Sequence, residues 1–187
     1  VLHSTKPVTF WLLREFLSSK FLEAVPALER ALEAQIRFPP AISWPEFLID
    51  GDGAIFASDD GTIRRVRLAD GEVVWKRQLA PEDRRIVGNG RIISAWPPRT
   101  GPVLDRGLVS VTSGLFPRFG TWALTLDART GEERWRVELP GISPQGYLLA
   151  SPTRLFVPTG RTSPLMLGRG DGRTLGRFEG PGGTFAV

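Results

Sequence analysis

Arginine and tryptophan crowd one stretch of the chain, "DRRIVGNGRIISAWPPR", residues 83–99. A guanidinium fork matches a carboxylate or phosphate with two parallel hydrogen bonds, and an indole face receives a cation or a planar ring. Arg84, Arg85, Asn89, Arg91, Trp96 and Arg99 therefore form the main candidate binding set, for a carboxylate, a phosphate or a flat ligand. Gln145 in "SPQG" and Arg161 after "VPTG" are lesser candidates, each with a turn role as its alternative. Phe116, Phe119 and Trp122 in "LFPRFGTW" read as an aromatic rim or as packing. "GRGDGR", Gly168 to Arg173, resembles a phosphate-cradling loop and contains an Arg-Gly-Asp tripeptide. Arg173 occupies the place of the third glycine, and no strand–loop–helix pattern surrounds it, so a turn is expected.

Other chemistry is excluded by composition. The sequence has no Cys and one His, His3. Disulfides, thiolate metal sites and Cys nucleophiles have no residues to draw on, and a lone His near the start nearly rules out Ser-His-Asp triads, His general bases and zinc sites. No catalytic set is identified, and no metal-ligating cluster is expected. The formal net charge is +4, with Lys only at Lys6, Lys20 and Lys76. The arginines are scattered among Asp and Glu, which reads as a solvated surface rather than a nucleic-acid footprint. No run approaches the roughly 20 apolar residues of a membrane helix.

These residues must be held by two kinds of element. Over 1–40, Leu13, Leu17, Phe21, Val25, Leu28 and Leu32 recur at helical steps, and Pro26 divides the segment. A helical N-terminal segment is expected there. After Pro40 short β-rich runs alternate with Asp-Gly turns, as in "AIFAS", "TIRRVRL" and "EVVWKRQL". Strands this short joined by such turns form antiparallel hairpins.

The runs repeat. Three units, about 45–80, 101–140 and 145–187, each read strand, turn, strand, loop, strand, turn, strand. Gly71, Gly131 and Gly172 coincide at the last turn, and Trp75 and Trp135 follow four residues later, where the third unit has Gly176. Gly71 and Gly131 are 60 residues apart; Gly131 and Gly172 are 41 apart. The longer interval contains an insert, about 80–100. A four-stranded sheet cannot bury both faces alone, and radial stacking solves this. The large indole on the outermost strand would fill the gap to the next sheet, over a glycine that permits the turn. The expected fold is all-β: a partial β-propeller of about three four-stranded antiparallel blades, after a short helical segment. A closed ring takes about four to eight blades. With Val at position 1, the chain reads as a piece of a longer product.

The run "LDARTGEERW" resembles the repeat of the quinoprotein, or PQQ-like, β-propellers. Asp127, Thr130, Gly131 and Trp135 match its tryptophan-docking motif, with Thr125 in the place of an Ala. The first unit matches at Gly71 and Trp75, with Arg67 in the place of Asp127; the third matches at Gly172. The resemblance implies blade-docking roles for these residues and an exported, periplasmic setting in bacteria. It implies one of two functions. The first is a scaffold that binds a protein or small ligand within a larger protein, with the remaining blades in the same or another chain. The second is a fragment of a PQQ-dependent alcohol or sugar dehydrogenase, with PQQ and Ca²⁺ held largely by other blades. The family's vicinal-Cys disulfide has no counterpart here.

Overall fold

The computed structural model describes residues 47–88, 90–160 and 162–180. The helical segment expected over 1–40 lies outside them, as do Asn89 and Arg161. Strands β1 (Phe47–Asp50), β2 (Gly53–Ser58), β3 (Thr62–Arg67) and β4 (Val73–Gln78) form a four-stranded antiparallel sheet in sequence order. A hairpin of β5 (Arg85–Gly88) and β6 (Arg91–Ser94) follows, then the two-residue β7 (Thr100–Gly101). The second sheet is β8 (Val103–Asp105), β9 (Leu108–Ser113), β10 (Trp122–Asp127) and β11 (Glu133–Glu138). The short β12 (Gly146–Tyr147) runs parallel to β7. The third sheet is β13 (Leu149–Ala150), β14 (Arg154–Val157), β15 (Leu165–Gly168) and β16 (Thr174–Arg177). This is the arrangement of a partial β-propeller. The one helical element among the described residues is a 3₁₀ turn, Pro117–Phe119.

Repetition extends to single hydrogen bonds. The last turn of each sheet is closed by Gly71 N–H to Arg67 O, Gly131 N–H to Asp127 O and Gly172 N–H to Gly168 O. The three glycines have φ of +79°, +68° and +70°, which side-chain-bearing residues seldom adopt. A register shift precedes each turn, at Arg65/Val66, Thr125/Leu126 and Met166/Leu167.

Alternation along the strands points one set of side chains at the neighbouring sheet. Ile55, Ile63 and Trp75 of the first sheet pack on Val109, Val111, Leu124 and Leu126 of the second. Ala123 and Trp135 of the second pack on Leu155, Val157, Leu165 and Leu167 of the third. Trp75 and Trp135 are only 5% and 8% exposed. The Trp75 indole N–H donates to Ala128 O at 3.0 Å, and that of Trp135 to Arg169 O at 2.9 Å. A Cβ on Gly131 would sit 2.6 Å from the Trp75 ring, and one on Gly172 2.5 Å from that of Trp135.

Removing a buried ring leaves both a cavity and an unpaired acceptor. Trp135→Ala should lower unfolding free energy in urea by about 3–5 kcal/mol. A loss under about 0.5 kcal/mol, typical of surface substitutions, would contradict a role in joining the sheets.

Candidate functional site

The insert folds back on the first two sheets. Pairing of Arg85↔Ser94, Ile86↔Ile93, Val87↔Ile92 and Gly88↔Arg91 sets its register. Period-two alternation separates the side chains. Ile86 and Ile93 point inward; Ile93 is buried, and Ile86 packs with Ala80, Ala95 and Trp96. The hairpin base is fixed by Ser94 N–H to Asp59 O and Ala95 N–H to Arg84 O, both 2.8 Å. Val87 and Ile92 face each other across the strands and are 80% and 74% exposed.

Beside the hairpin, two arginines clasp an aromatic pair. The Arg84 guanidinium lies 4.9 Å from the Phe119 ring centre, and that of Arg118 lies 4.6 Å from it. Phe116 meets Phe119 edge to face at 6.0 Å, and Phe116 is itself exposed. Such contacts hold a cation over a ring by its quadrupole. Trp96 lies beneath this surface, 4% exposed, with its indole N–H donated to Phe119 O at 2.9 Å. Trp122 joins the same cluster.

The remaining candidates do not converge on one point. Arg85 is paired to Asp83 at 2.8 Å. Arg99 is half-buried; its main-chain N–H donates to Thr112 O, while its Nε is buried without a partner. Arg91 closes the hairpin turn. Gln145 sits apart, its main-chain N–H donating to Pro158 O at 2.9 Å.

The expectation of a solvated arginine surface is corrected at three positions. Arg64, Arg65 and Arg169 are buried. Arg64 pairs with Asp60 and Thr62 within its own turn. Arg65 pairs with Asp50 at 2.6 Å and donates to Ala128 O at 3.2 Å, the carbonyl that Trp75 also uses. Arg169 reaches back from the third sheet to Ser110 Oγ and Asp105 O, both at 3.1 Å. Partly buried Arg136 ties the second sheet to the first through Leu79 O at 2.8 Å and Gln78 O at 2.9 Å. A buried guanidinium survives only where carboxylates, hydroxyls and carbonyls satisfy it. The signal in the sequence was the paired Arg64-Arg65 inside an otherwise strand-like run.

Asp127 organises the turn below Trp135. One carboxylate oxygen accepts from the N–H groups of Arg129 at 3.1 Å and Thr130 at 3.0 Å; the other accepts from Arg134 at 2.9 Å. The hydrogen bond from the Thr130 main chain, followed by that from Arg134, lowers its pKa to about 2. A depressed carboxylate pKa contributes stability that is complete above its ordinary value of 3.8 and vanishes as pH falls through about 2. The difference in melting temperature between the protein and Asp127→Asn should therefore shrink as pH falls from 5 to 2. A difference that stays constant over that range would rule out the charge as its source.

Among the described residues, no group of three or more Asp, Glu or His side chains converges in a way that could hold a metal ion. The sequence has no Cys, so the vicinal-Cys disulfide that the family resemblance implies has no counterpart in this chain.

No protein-family model matches the chain, and no curated protein sequence matches it. Solved structures do. BamB from Moraxella catarrhalis superposes with a TM-score of 0.52 at 23% identity, over 73% of this chain and 37% of that one. Quinohemoprotein alcohol dehydrogenase from Comamonas testosteroni superposes with a TM-score of 0.56 at 15% identity, over 74% of this chain and 28% of that one. A quinohemoprotein alcohol dehydrogenase from Pseudomonas putida HK5 gives 0.55 at 14% identity, over 74% and 27%. The chain thus spans between a quarter and two fifths of the length of these relatives. Its stacked four-stranded sheets have the β-propeller fold found in BamB and in the quinoprotein dehydrogenases.

Proposed function

We propose that the chain is a protein-binding scaffold, a run of propeller blades within a larger exported bacterial protein, and that the hairpin 85–94 is its contact element. The observation that carries this reading is the exposed pair Val87 and Ile92 at the hairpin tip. Two branched aliphatics directed into water contribute nothing to their own core, and such patches mark sites of association. The neighbouring stack of Arg84, Arg118, Phe116 and Phe119 supplies residue types favoured at binding hot spots. Arg85, Arg91 and Asn89 on the same insert add polar recognition. Gln145 lies in a second, separate region and would serve a different contact; Arg161, outside the described residues, is proposed with it on its place after "VPTG" alone.

The blade-docking roles of Gly71, Trp75, Asp127, Gly131, Trp135 and Gly172 are part of the proposal. In it, each tryptophan hooks the turn of the next sheet, so the unpartnered faces are covered by further blades of the same or another chain. The exported, periplasmic setting is proposed on the likeness to BamB and the dehydrogenases.

A photo-crosslinking residue at position 87 in the full-length protein, expressed in its own bacterium, should capture one discrete partner. Ile92→Asp should abolish capture while leaving the melting temperature within a degree or so, since the side chain is exposed. Capture equal to that from a crosslinker at exposed Arg173 would contradict the reading. PQQ with Ca²⁺, titrated in parallel, should give no saturable change in quinone absorbance. Saturable binding with dye reduction would instead favour the dehydrogenase reading.

A further inference from the structure

Each sheet turns one face toward the sheet that follows it in sequence. The strand register sets four residues side by side across that face. They are Leu48, Ile55, Arg65 and Trp75 in the first sheet, and Val103, Ser110, Thr125 and Trp135 in the second. Both rows carry their bulk on the outermost strand, as an indole. Both also carry a polar side chain on a middle strand that bonds across the joint. Arg65 donates to Ala128 O of the second sheet, and Ser110 accepts from Arg169 of the third. All of these residues except Leu48 and Val103 are buried.

The corresponding row of the third sheet is Leu149, Phe156, Met166 and Gly176. Here the bulk has moved inward and the outermost strand is bare. A Cβ on Gly176 would meet nothing within 4 Å. On the same strand and face, Phe178 meets Phe156 edge to face at 6.0 Å. Leu149 is 40% exposed and Phe178 50%, while Phe156 and Met166 are half-buried. This row offers no hydroxyl or charge to a guanidinium arriving from a neighbour, so burying an arginine against it would be costly.

We propose that the third sheet receives a following four-stranded sheet of the full-length chain through a joint of reversed polarity. The incoming face is apolar, buries no arginine, and itself supplies the large side chain, which fills the space over Gly176 beside Met166 and Phe178. The first two joints run in chain order through this same face, and the third sheet continues that series. Its exposed Leu149 and Phe178 gain by leaving water. The proposal rests on the reading of the chain as one run of blades within a larger protein, and adds the chemistry of the next joint.

The test places single cysteines in the purified full-length protein: Met166→Cys, Leu149→Cys and, as an exposed reference, Arg173→Cys. Alkylation by iodoacetamide is followed on the tryptic peptide that carries each position. Positions 166 and 149 should react at least about a hundredfold more slowly than position 173, because reaction there waits for local opening. The protection should survive dilution of the protein. Loss on dilution would assign the face to a second copy and overturn the proposal. Rates equal to that at position 173 would overturn both the proposal and the larger-protein reading. Benzoylphenylalanine in place of Phe178 should photo-crosslink to one large apolar residue beyond position 187 of the same chain. Replacing that residue with Ala should speed alkylation at position 166 at least about tenfold. An unchanged rate, a cross-link to a small or charged residue, or no cross-link would overturn the reversed joint and leave the larger-protein reading standing. None of these outcomes bears on partner capture by the hairpin.

Discussion

The carbonyl of Ala128 is the point on which the first two sheets turn. It receives the Trp75 indole N–H and an Arg65 guanidinium N–H, both from the preceding sheet. Three residues on, Gly131 leaves space for the Trp75 ring, and its own carbonyl accepts from Arg77 at 2.8 Å. A sheet with two apolar faces is not a stable object alone. Here the covering face is held in register by a few directed hydrogen bonds rather than by apolar contact alone. Apolar burial is non-directional and would tolerate sliding; a carbonyl shared by an indole and a guanidinium does not. The second joint repeats the indole and the glycine, with Arg169 supplying both the carbonyl for Trp135 and a guanidinium that reaches back to Ser110.

Function is displaced by this arrangement. Residues that look chemically rich in the run "LDARTGEERW" are occupied in closing the turn and clasping the next sheet. Asp127 is ionised and fully engaged with Arg129, Thr130 and Arg134. In the proposed reading, the part that meets other molecules is a connection, the hairpin between the first two sheets. Propellers of different activities share the sheets and differ in what the connections carry.

The sheets were legible because their signals are local and repeated. Asp-Gly turns, the Gly-to-Trp spacing and two-residue alternation each depend on a few neighbouring residues, and three copies reinforce one another. The insert carries a local turn signal too, Gly88-Asn89-Gly90, though its arginines are more conspicuous. Of the buried arginines, the adjacent Arg64-Arg65 left a local mark in the sequence, and Arg169 left none. Arg169 is stabilised by Ser110 and Asp105, about sixty residues away in sequence, and nothing near Arg169 announces them. Trp96 misleads for the same reason. It stands in a polar, arginine-rich run, and its burial is decided by Phe119, 23 residues on.

The direction of the clasp has a consequence for how the protein is made. Trp75 waits for a carbonyl 53 residues further along, and Trp135 for one 34 residues further. Where the chain emerges N-terminus first, the first and second sheets each expose an indole and an apolar face until the following sheet has formed. Vectorial synthesis therefore leaves an adhesive surface at the growing end, moving forward one unit at a time. Gly176 stands where the next indole would be, so at the third sheet this relay has no hook to pass on.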